Sequence, residues 1–88
     1  MDAKLEKTGT YSVSSTDGFV VEQQHFGILY RDAGGEALIG FSWHGKPSGI
    51  TLHPSTLKAL GLDQARIDVI IPRAVCALEY LGWHVELF

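Results

Sequence analysis

Only one stretch of this chain repeats its apolar residues at helical spacing, and that limits what the chain can build. Between Asp63, suited to cap a helix N-terminus, and Gly82, suited to stop one, Ile67, Ile70, Ile71, Ala74, Leu78 and Leu81 fall on one side of a helical wheel. A single helix cannot bury its own apolar stripe, so it must cover a sheet made from the rest of the chain. Pro72 interrupts the pattern. An interior proline removes one backbone hydrogen bond and crowds the preceding turn, at a cost of about 3 kcal/mol. Either the helix bends there, or it starts at Asp68 and Pro72 falls in the first turn. A continuous, bent helix over 63–82 is expected.

The rest of the chain alternates with a period of two. Tyr11 and Val13 alternate with serines, Ser15 to Gly18 supply a turn, and Phe19 and Val21 resume the alternation, which predicts a hairpin. Phe26, Ile28 and Tyr30 share one face of a strand ending near Asp32. Ala37, Ile39, Phe41 and Trp43 form its partner after a turn at Ala33, Gly34 and Gly35, whose glycines supply the backbone angles a tight connection needs. His44 to Ser48 break the pattern, Ile50 and Leu52 line a short strand ended by Pro54, and Pro54 to Gly61 reads as a short helical turn. After the helix, Trp83, Val85 and Leu87 alternate with His84 and Glu86 in a terminal strand over 83–88. Residues 1–9 are polar and read as a frayed lead-in, with the strands and the helical turn over 10–61. The expected fold class is α+β: an antiparallel sheet of about five or six short strands packed against one long C-terminal helix, with a final strand, in a single domain over 1–88.

At 88 residues, 45% of them hydrophobic, the chain suits one small domain with no cleft between domains. Seven Lys and Arg against ten Asp and Glu give a net charge of -3, the wrong sign for wrapping phosphates, so no nucleic-acid partner is expected and an acidic surface suits a basic one. Cys76 is the single cysteine, which rules out an intrachain disulfide and fits a reducing, cytoplasmic setting. The N-terminus has no apolar run of signal-peptide length, and Val69 to Ile71 is far shorter than the roughly 20 residues of a membrane span. No membrane role is expected.

Candidates for chemistry are weak. His25, His44, His53 and His84 lie on four different predicted strands or loops without a short ligand pair, so they read as surface or sheet-edge histidines and no metal is expected. Cys76 lies inside the helix, away from an N-terminus that would activate a thiol, and no glycine-framed elbow surrounds any serine. Glu22, Asp32 and Glu36 could supply a carboxylate pair for acid and base work, but Asp32 and Glu36 flank the hairpin glycines and read most simply as solvated turn residues. Gly34 and Gly35 lack the lysine and the following helix of a phosphate loop. No catalytic residue, enzyme activity or cofactor is expected.

One surface feature stands out. Opposite the helix's core stripe, Val69, Cys76 and Tyr80 lie together, with Arg73 beside them and Glu79 further round, where a solvated helix normally shows charge. Scattered surface apolarity is the plain reading; a partner-binding patch and a weak homodimer through Val69, Cys76 and Tyr80 are the others.

From His25 onward the chain resembles the bacterial polymorphic-toxin immunity proteins of the immunity protein 74 family. The matching stretches are Ile28-Leu29-Tyr30-Arg31-Asp32-Ala33-Gly34-Gly35, Ile50-Thr51-Leu52-His53-Pro54-Ser55-Thr56-Leu57, and Ile70-Ile71 leading into Ala77 to Leu87. Lys58 to Gly61 stand where family members carry a tryptophan and paired prolines. The resemblance implies a small cytoplasmic antidote, as in contact-dependent growth inhibition, that blocks a cognate protein toxin stoichiometrically. Many such toxins are nucleases with basic clefts, onto which an acidic protein would be steered. Exposure and charge nominate Asp17, Glu22, Asp32 and Glu36 on hairpin ends, with Arg73, Glu79 and Tyr80 on the outer helix face, as toxin contacts. The alternative is a small self-associating or adaptor module without catalysis.

Overall fold

A computed structural model describes residues 4–43 and 49–87, so the expected break at His44 to Ser48 lies outside the described residues. Among the described residues seven strands form one sheet in chain order: β1 (Leu5–Gly9), β2 (Ser12–Ser15), β3 (Val20–Gln24), β4 (Gly27–Asp32), β5 (Gly35–Trp43), β6 (Gly49–His53) and β7 (His84–Leu87). Helices α1 (Ser55–Ala59) and α2 (Gln64–Tyr80) come between β6 and β7. The fold is therefore α+β, with one long helix against a curled, mostly antiparallel sheet.

Two features correct the expectation of five or six antiparallel strands. Leu5–Gly9, expected as a lead-in, forms β1 against β2, with Leu5 opposite Ser15 and a bulge between Lys7 and Gly9. Hydrogen bonding at a sheet edge builds this strand without an apolar face: Lys4 N–H donates to the Thr16 hydroxyl Oγ1 at 3.0 Å, and Thr16 N–H returns a backbone bond to Lys4 O. The last strand, β7, is parallel to β6. Its direction follows from α2, whose 17 residues span about 25 Å and carry the chain back across the sheet before β7 begins.

The core lies between one face of the sheet and α2. Val13, Val21, Tyr30 and Ala37 face one another in succession across β2 to β5, and Ile28 pairs with Ile39 in the neighbouring row. Ile67, Ile70, Ile71, Ala74, Ala77 and Leu78 close over them, all buried, and Leu81 packs at the margin. The expected stripe is thus the buried one, with Ala77 added.

The helix runs unbroken through Pro72. The proline cannot donate to the carbonyl of Asp68, but both residues are exposed, so water can serve that carbonyl. Asp63 caps the N-terminus by accepting Arg66 N–H at 2.8 Å. At the far end Gly82, at φ +100°, lets Trp83 N–H reach Leu78 O and Gly82 N–H reach Glu79 O, closing the last carbonyls. Phe26 departs from its expected face. Gln24 pairs with Gly27, so His25 and Phe26 form the hairpin turn and Phe26 is 72% exposed while Ile28 and Tyr30 are buried.

Candidate functional site

The most organised group of polar side chains joins the β4–β5 hairpin to α2. Asp32, at the end of β4, receives both guanidinium nitrogens of Arg66, Nη1 at 2.9 Å and Nη2 at 2.5 Å. Tyr30 Oη donates to the same carboxylate at 2.6 Å, and Gly34 N–H donates at 2.8 Å. Arg73 Nη1 reaches Tyr30 Oη at 2.9 Å and Asp32 at 3.5 Å. The rings of Phe19 and Tyr30 stack at 5.9 Å, with Arg73 over Phe19 and Arg66 over Tyr30. A Cβ at Gly34 would stand 3.1 Å from Arg66 Nη2 and 3.2 Å from Asp32 Oδ1 and would press on the pair by a few tenths of an ångström.

This group ties elements together and is poorly suited to proton transfer. The Arg66 hydrogen bonds hold the Asp32 carboxyl well below the usual aspartate range, with Tyr30 and Gly34 adding to the effect against the opposing pull of burial. Burial and the bond to Asp32 push the Tyr30 phenol up. A carboxylate whose oxygens already face donors on every side has no lone pair to offer as a base.

The structure sorts the candidate contact residues into different settings. Asp32, expected as a solvated turn carboxylate, has a side chain only 9% exposed and committed to Arg66. Arg73, read as part of the outer helix face, is half-buried and turns inward to Tyr30. Glu22 is half-buried on β3 and accepts from Gln24 Nε2. Asp17, Glu36, Glu79 and Tyr80 are exposed, as are Val69, at 41%, and Cys76.

These residues do not converge on one patch. The strands reverse at every turn, so the β2–β3 and β4–β5 turns, with Asp17 and Glu36, share one end of the sheet. The Arg66–Asp32 bridge places the start of α2 at that end, and Glu79 and Tyr80 lie about 20 Å further along the helix. Arg31 stands across from Glu36 and offsets part of its charge, which leaves Asp17 as the barer carboxylate.

Reasoning from sequence missed Arg66, since nothing near position 66 points to a partner on β4. It also missed a surface depression of about 440 Å³ lined by Tyr11, Gln23, Gln24, His25 and Trp83, beside exposed Phe26. Of the histidines, His25 is exposed in a turn, His53 meets Ser42 Oγ at 3.0 Å and His84 lies 3.7 Å from Glu86. His44 is outside the described residues, and among the described residues no three His, Cys, Asp or Glu side chains gather as metal ligands would. Among the described residues no helix is long and apolar enough to cross a membrane. Compared with protein-family models, curated proteins and solved structures, the chain matches none.

Proposed function

We propose that this chain is a cytoplasmic immunity protein that binds a cognate bacterial toxin domain and neutralises it by stoichiometric blocking. The reading begins from the resemblance of the second half of the chain to immunity protein 74, and one structural observation supports it. Asp32 is taken up by Arg66 and Arg73 and Glu36 faces Arg31, while Asp17 stands exposed at the same end of the sheet as the barest carboxylate there. Carboxylates left in solvent keep their long-range field, which steers association with a basic cleft such as a nuclease presents. In a co-expression assay, cells making the toxin domain encoded beside this protein survive only when the protein is present. Equal killing with and without it would end the proposal. With the purified pair, Asp17→Lys combined with Glu36→Lys slows association by about tenfold at low salt, and the difference narrows as salt is added.

A second reading has its own support on α2. Val69, Cys76 and Tyr80 share an exposed face, and Tyr80 is 52% accessible, which suits a self-associating or adaptor module. Light scattering across concentration separates the two. A dimer that Tyr80→Glu dissolves supports the module; a particle whose mass ignores that change does not.

A further inference from the structure

The two edges of the sheet are built differently. β1 carries Lys7 and a bulge between Lys7 and Gly9, both of which discourage another strand from adding to it. β7 has no lysine, proline or bulge, and on the side away from β6 no described strand pairs with it. Its side chains alternate. Val85 and Leu87 lie opposite Ile50 and Leu52 of β6, on the core side with Trp83, and His84 and Glu86 take the other face. Leu87 is 56% exposed, although its face is the one that α2 covers elsewhere.

We propose that β7 is a self-complementary edge through which two copies of this chain join their sheets about a two-fold axis. In an antiparallel pair, facing residues share a face of the sheet and turn their backbone groups the same way, so a two-fold must pass through a residue. Four such axes fall within the strand, and one at Leu87 sets His84, Val85 and Glu86 opposite positions beyond it. An axis at Glu86 sets that carboxylate against its own copy, which repels. An axis at His84 pairs the imidazole with itself and leaves Glu86 opposite Gly82, beyond the strand. An axis at Val85 places His84 opposite Glu86 of the second copy twice over, a nitrogen donor against a carboxylate acceptor each time. On the core side, Val85 meets Val85 and each exposed Leu87 meets the second copy's Trp83. The segment Trp83-His84-Val85-Glu86-Leu87 thus complements itself on both faces at once in that single register. With so few residues on each side, the association is weak and concentration-dependent. It does not rest on toxin binding.

Sedimentation velocity up to about 1 mM protein tests it. The wild-type chain forms a dimer, His84→Glu weakens association by about tenfold, and His84→Glu combined with Glu86→His restores it by exchanging the two partners. Circular dichroism confirms that each variant is folded. If a variant fails to fold, amide exchange on the wild type decides instead: alternate β7 amides become more protected as concentration rises. A protein monomeric throughout the range, a dimer indifferent to His84→Glu, a dimer dissolved only by Tyr80→Glu, or β7 exchange independent of concentration would overturn the proposal.

Discussion

At Asp32, five donor contacts converge on two oxygens: two from Arg66 and one each from Tyr30, Gly34 and Arg73. Asp32→Asn replaces one acceptor oxygen with a donor that faces Arg66, and the expected loss is about 2 kcal/mol in urea unfolding near neutral pH. The folded pKa lies below the ordinary aspartate value of about 3.9, so the unfolded chain binds the proton more readily. The stability this group supplies is therefore fully present above that value and is lost as pH falls into the acid range. Wild type and Asp32→Asn are expected to converge as pH drops from about 5 toward 2; a constant gap would show that the carboxylate's charge is not what matters. The sequence marks Asp32 as a charged residue beside a glycine turn, and no more. Arg66 and Arg73 lie far along the chain on another element, and no local pattern encodes such a meeting.

At the scale of elements, α2 was almost fully legible because each of its signals is local. The apolar stripe, the Asp63 cap and the Gly82 stop all act within a turn or two of themselves. Pro72 was the one conflict, and it resolves because the missing bond faces water. Pro72→Ala restores a donor for the Asp68 carbonyl, and a gain of about 2 kcal/mol in chemical denaturation is expected after the proline's stiffening of the unfolded chain is offset. No gain would mean that a bend at Pro72 is needed to fit the sheet. β1 was hidden for the opposite reason: a strand held by backbone pairing at an edge has no buried face and leaves no alternation to read. Phe26 misled because the alternation continues through the turn, where the register with Gln24 and Gly27 decides exposure. The direction of β7 depends on where α2 delivers the chain, which no single element records.

Across the whole molecule, the candidate contacts divide between two ends, with Asp17 and Glu36 at one and Glu79 and Tyr80 at the other. The sequence supplied their charge and type but could not show which of them the fold would consume. All but one of the sheet's strand pairings join neighbours along the chain; only β6 and β7, with Ile50 opposite Val85, must wait for both helices. Hairpins close in microseconds, whereas a contact across so long a loop carries a larger entropic cost. The β6–β7 pair is therefore expected to form after the folding transition state. In stopped-flow measurements Val85→Ala should speed unfolding and leave the folding rate nearly unchanged, while Ile39→Val, in the central hairpin, should slow folding. The reverse pattern would place the parallel pair in the nucleus. Strand β6, buried along most of its length in the finished protein, stays open on one side until that last step, and the danger of misassembly is concentrated in that interval.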